Sequence, residues 1–295
     1  MHPKYTLLIA ALVATVGRSW AGDDAYPRAN LLAEPVQLSK ANGFVILDAR
    51  EKEKYSAGHI PGARWVDHEA WAKSFGHGDD ADRWTKRIGA LGIGNDTKVI
   101  VYDDNSHKDA ARIWWQLRYW GVEDVRLLNG GWTGWKVGGY PIEKDEVVPV
   151  AVKYEAKART GRLATKEQLV KSLRDGSIQI VDARSEGEHC GVEKMKNKRA
   201  GAMPGARHLE WSDLIDSDTK RFKSSAELTK LFDVAGIDLT RTTATHGQSG
   251  GRAAVMAFGL ELIGAKDVSN YYRSWSEWGN TEDTPVVPGK VKKRK

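Results

Sequence analysis

The chain has 295 residues, room for two domains of ordinary size, and its 41% hydrophobic and 28% charged residues are a normal globular balance. The formal charge of +6 does not describe a nucleic-acid groove: Lys4 and Arg18 lie near the N-terminus, five cations fall in 290–295, and residues 22–289 carry −1. A single cysteine, Cys190, excludes an intramolecular disulfide.

From the N-terminus, Lys4, the apolar run Thr6 to Val16 and Ser19-Trp20-Ala21 read as an export signal over 1–21. The run is too short to span a bilayer comfortably, so the mature protein is expected to be periplasmic or secreted, without a membrane segment. Next come Phe44-Val45-Ile46-Leu47, Val99-Ile100-Val101-Tyr102 and Val125-Arg126-Leu127-Leu128, apolar runs expected as buried parallel strands. Ala110 to Tyr119 reads as the helix between the last two. Residues 143–162, charged and weakly patterned with Pro149, read as a linker over the surface.

The second half repeats the first. With Asp104 set against Gly247, an offset of 143 places Ser106 on Ser249, Ala110-Ala111 on Ala253-Ala254, Trp132 on Trp275 and Trp135 on Trp278. It also places Ile60-Pro61-Gly62-Ala63 on Met203-Pro204-Gly205-Ala206. Leu47-Asp48-Ala49-Arg50 matches Val181-Asp182-Ala183-Arg184 at an offset of 134, which locates a nine-residue insertion between Arg184 and Gly201. Two long copies mean duplicated domains rather than a solenoid. The expected fold class is α/β: two domains, 22–142 and 163–288, each a small parallel sheet with helices on both faces, followed by a basic tail over 289–295. The tryptophan pairs Trp114-Trp115 and Trp275/Trp278 are expected in the core and between the domains.

The chemistry concentrates in His246-Gly247-Gln248-Ser249-Gly250-Gly251-Arg252, between the strand end Thr242-Thr243-Ala244-Thr245 and a helical pattern carried by Ala253, Met256, Ala257 and Leu260. Such a loop offers backbone N–H groups at the positive end of a helix dipole and is an anion site. His189 beside Cys190 is a weak metal signal, since two adjacent ligands lack partners.

The loop, the Asp-x-Arg segments, His59-Ile60-Pro61-Gly62-Ala63 and the turn Asn129-Gly130-Gly131-Trp132 together resemble the tandem-domain rhodanese family over residues 30–287. The resemblance implies transfer of sulfane sulfur from thiosulfate or 3-mercaptopyruvate to a thiophilic acceptor such as cyanide, through a cysteine persulfide and without cofactor or metal. Its partners would then be small: an anionic sulfur donor and the acceptor, with no nucleic acid and no membrane. The loop would open on the nucleophilic cysteine; here that position is Gly247, which carries no thiol. Gln248, Ser249, Gly250, Gly251 and Arg252 remain as the expected substrate-binding residues, and Arg184 is expected first as a structural ion pair and second as a ligand contact. In the first copy Asp104 and Asp109 stand at the places of Gly247 and Arg252, as expected of a non-catalytic domain. The family's substrate-binding arginine, six residues past Asp182, is Glu188 here. Cys190, eight residues past Asp182, is either a structural thiol or a substitute sulfur carrier. Three readings follow: a sulfurtransferase inactivated at Gly247, a non-enzymatic exported module that binds an anion or a partner, and a phosphatase-like activity that would also need the thiol.

Overall fold

A computed structural model describes residues 25–290, so the export signal and the last five residues of the tail lie outside the described residues. The first domain holds β1 (Leu32–Ala33), β2 (Phe44–Asp48), β3 (Arg64–Trp65), β4 (Lys98–Tyr102) and β5 (Val125–Leu128), all parallel in the order β1-β5-β4-β2-β3. The second holds β6 (Gln179–Asp182), β7 (Arg207–His208), β8 (Thr243–His246) and β9 (Val268–Asn270), parallel in the order β7-β6-β8-β9. A bridge from Leu163 to Asn270 takes the place of β1 in the second sheet.

The continuous apolar strands have the cause expected of them, burial on both faces. Side chains alternate across a strand, and in β4 Val99 and Val101 enter one core with Trp84 and Trp114. Ile100 and Tyr102 enter another on the opposite face, with Trp132 and Trp135. β8 is polar but equally buried, and its hydroxyls are satisfied: Thr245 Oγ1 donates to Ala253 O at 2.9 Å. It runs one residue past the expected strand end, so His246 belongs to the sheet rather than the loop.

The helices Lys108–Tyr119 and Gly251–Leu262, one after each central strand, pack on each other between the domains. Trp114 meets Phe258 edge-on at 4.9 Å. Tyr272, from the second domain, sits among first-domain aromatics, 4.5 Å from Phe75 and 5.2 Å from Trp115, and Gln116 Nε2 donates to its hydroxyl at 3.0 Å. Trp275 and Trp278 lie instead in the second domain's own outer core. Buried Glu261 accepts from Arg28 at 3.2 Å and Arg162 at 2.6 Å, tying the segment before β1 and the end of the linker to the interdomain helix. Residues 143–162 lie along the first domain, with Val152 N donating to Gly89 O and Lys157 N to Trp120 O. Among the described residues no helix is long and apolar enough to cross a membrane.

Candidate active site

The loop after β8 is shaped from both sides. Ser274, buried and at φ +52°, accepts from Gly247 N at 3.0 Å and Gly250 N at 3.3 Å, while its own hydroxyl donates to Tyr271 O at 2.8 Å. Gly250, at φ +86°, is required on two counts: its conformation, and the Tyr272 ring 2.7 Å from where a Cβ would stand. From the first domain Arg112 Nη1 donates to Ser249 O at 2.8 Å and to the Tyr272 hydroxyl at 3.2 Å. None of Ser274, Arg112 and Tyr272 was singled out in the sequence. Ser274 alone left a trace there, a serine at the repeat position of Gly131.

The N–H groups of Gln248, Ser249, Gly251, Arg252 and Ala253 have no hydrogen-bond partner among the described residues, because the helix's own bonding begins with Ala254 N to Gly250 O. A Cβ on Gly247 would lie 3.2 Å from Ala253 N, pointing into this set. Gly247 is at negative φ, open to any L residue.

The first domain shows what such a position does when a side chain occupies it. Asp103 Oδ1 accepts from Asn105 N at 3.0 Å and His107 N at 2.9 Å. Its Oδ2 accepts from Asp109 N at 2.9 Å and Ala110 N at 2.8 Å. A carboxylate thus fills the ring of amides at the start of helix Lys108–Tyr119. Asp103, not Asp104, is the counterpart of Gly247. Asp48 pairs with Tyr102 as Asp182 pairs with His246, so each strand ends one residue before them. The gapless alignment hid this because the first loop is one residue longer before its helix begins. Asp104 instead turns outward to Lys54 at 2.8 Å. Burial, and then the neighbouring Asp109 charge, push Asp103 up to about 6 against the pull of its amide donors.

Other expected site residues are placed differently. Arg184 is 1% exposed, chelates Asp182 at 2.9 and 2.6 Å, donates to Gly201 O at 2.7 Å, and lies 4.0 Å over Trp275. Of its two expected roles, ion pair and ligand contact, the structure shows the ion pair, matched in the first domain by Arg50 on Asp48, Gly58 and Trp132. The paired bonds to Gly58 and Gly201 also place the nine extra residues between Arg184 and Gly201, as expected. Gln248 exchanges amide bonds with Asn197 of that insertion, at 2.9 and 3.2 Å. Arg252 forms a bidentate pair with Glu188 at 2.6 and 3.0 Å. For both residues the backbone N–H is thus what stays available, not the side chain. Ser249 is exposed and lines a cleft of about 540 Å³ between the domains, with His68, Lys73, Lys108, Arg112 and Arg273.

Beneath the loop, the Nε2 of buried His246 lies 3.6 Å from Asp182 Oδ1. Burial, opposed by Asp182, pushes His246 down to about 4, so the imidazole is neutral at pH 7. Cys190 ends the short helix Glu186–Cys190 and is half-buried, while His189 Nδ1 lies 2.9 Å from Asp182 Oδ2.

Comparison with known proteins matches the Rhodanese-like domain twice, over residues 32–137 and 165–281. The chain is 32% identical to a putative thiosulfate sulfurtransferase of Mycolicibacterium smegmatis, over 83% of this chain and 91% of that protein. It is 29% identical to the thiosulfate sulfurtransferase of Gallus gallus, over 85% and 91% respectively. The anaerobic ergothioneine biosynthesis enzyme from Chlorobium limicola superposes with a TM-score of 0.81 at 23% identity, covering 91% of this chain and 72% of that one, a likeness of fold. Two matching domains, two parallel sheets and homologous thiosulfate sulfurtransferases make the chain a tandem-domain member of the rhodanese family.

Proposed function

We propose that this chain is a sulfurtransferase-type protein whose second-domain loop keeps the anion-holding half of the chemistry and lacks the nucleophile. One observation carries the reading: five N–H groups of the loop at Gly247 have no partner among the described residues, where the first domain seats the Asp103 carboxylate. With a thiolate at 247, attack on the outer sulfur of thiosulfate would break the S–S bond and release sulfite with its electron pair. The persulfide left behind would pass its outer sulfur to cyanide, forming thiocyanate and regenerating the thiolate. The loop amides and the helix dipole stabilise the anion at each stage. As it stands, the chain holds small sulfur anions without turning them over, and by its N-terminal sequence does so outside the cytoplasm.

The test is Gly247→Cys. The backbone there suits an L residue, and its closest neighbours, Arg252 Cβ at 3.1 Å and Ala253 N at 3.2 Å, need give only a few tenths of an ångström. The substituted protein should gain a persulfide mass increment and produce thiocyanate, and its thiol should titrate well below about 8.5. The unaltered chain should do neither. A well-folded Gly247→Cys that forms no persulfide with thiosulfate or mercaptopyruvate rejects the reading. Turnover by the unaltered chain that Cys190→Ser stops would move the sulfur carrier to Cys190.

A further inference from the structure

We infer that Glu188 sets the charge class of ligand that the 247–252 loop accepts, favouring singly charged sulfur species such as an alkyl persulfide over dianions such as thiosulfate. The inference rests on the reading of that loop as the anion site and extends it to the donor.

Arg252 is the loop's own cation, and its guanidinium is held by both Glu188 oxygens at 2.6 and 3.0 Å. The Glu188 side chain is only 4% exposed and Arg252 20%, so water screens the pair little. Ser185 fixes the carboxylate further, its hydroxyl donating to Oε2 at 3.1 Å within a capping box. Burial alone would raise Glu188, but the Arg252 contacts outweigh burial and hold it below the usual carboxylate range, so the pair is fully ionised at neutral pH. A second guanidinium near the loop, Arg184, is neutralised in the same way by Asp182. Both guanidiniums are therefore held by carboxylates, whereas Arg112 of the first domain bonds the loop through Ser249 O at 2.8 Å. The amide donors and Arg112 suit a compact, singly charged sulfur; a second negative charge would call on Arg252, which Glu188 already holds.

Because Coulomb energy is linear in ligand charge, a change of one unit at residue 188 shifts log affinity for a dianion about twice as far as for a monoanion. Glu188→Gln makes that change while keeping size and the capping interaction, since Gln serves in a capping box as Glu does. Calorimetry on the full chain at constant ionic strength, with sulfate and nitrate as probes, gives the measurement. Glu188→Gln should tighten sulfate about tenfold and nitrate about threefold. A merely structural role for Glu188 would move both anions by the same factor, or neither, and that result overturns the inference while leaving the anion site standing. The unaltered protein gives a second reading that no folding defect can obscure: sulfate should bind no more tightly than nitrate, and a tenfold preference for sulfate overturns the inference as well. If neither anion binds to either protein, the anion site itself fails and the role of Glu188 with it.

Discussion

Asp103 and Gly247 give their carbonyl oxygens to the backbone N–H of Trp132 and Trp275, at 2.8 and 3.0 Å, and so hold the same place in the two halves of the chain. One carries a carboxylate that accepts four amide bonds; the other leaves the N–H groups of Arg252 and Ala253, the counterparts of Asp109 and Ala110, without a partner among the described residues. The first loop is thus closed by its own side chain and the second is open to a ligand.

Asp103→Asn should cost about 3 kcal/mol in urea unfolding at pH 7.5, because an amide nitrogen would face backbone donors it cannot accept from. Asp104→Asn, which breaks only the outward pair with Lys54, should stay within about 0.5 kcal/mol. Equal costs for the two would mean that Asp103 does not occupy the amide ring.

Arg252→Ala leaves Glu188 buried without its partner, and should destabilise the protein by about 3–5 kcal/mol. Removing both, as Arg252→Ala with Glu188→Ala, should recover most of that loss, so the double-mutant cycle reports a strong coupling. Additive losses would show that the two side chains do not depend on each other.

Acid sensitivity should follow from the buried histidines. His246 and His107 are pushed down to about 4, chiefly by burial, whereas in the unfolded chain they titrate near 6.5. Between those values the unfolded state binds more protons, so stability is full above pH 6.5 and falls as pH drops toward 4. Asp103, raised to about 6, acts in the opposite sense between pH 6 and about 4, where the folded state binds the extra proton. His246→Gln should flatten the decline by about one proton near pH 5.5, roughly 1.4 kcal/mol per pH unit. An unchanged slope in urea titrations across this range would show that His246 is not a buried neutral imidazole.

Export should remove the N-terminus near Ala21-Gly22. Protein recovered from the native host is expected to have the mass of a chain starting at residue 22. An intact Met1 would argue against secretion.

The duplication and the parallel sheets were legible because buried strands leave uninterrupted apolar runs, and because matching segments survive on either side of the insertion, Asp-x-Arg before it and Pro-Gly-Ala after it. The site was legible as backbone rather than as side chains. A glycine-rich loop before a helix predicts free amides whatever residues it carries. Pairings across long separations leave no local mark: Arg252 reaches Glu188 across 64 residues and Arg112 reaches Ser249 across 137. The one-residue shift between Asp104 and Asp103 was hidden for another reason. An added residue upstream of the strand and a lost one in the loop cancel, so the flanking alignment stays in step.

The hydrogen bond from Arg112 to the Ser249 carbonyl also bears on the order of assembly. Ribosomes deliver the chain from the N-terminus, so the first domain can fold while the second is still being made. The loop at 247–252 therefore takes its final shape only when its helix docks on a surface already built, with Tyr272 entering a waiting aromatic cluster. Expressed alone, the second domain would keep its sheet but lack one wall of its site.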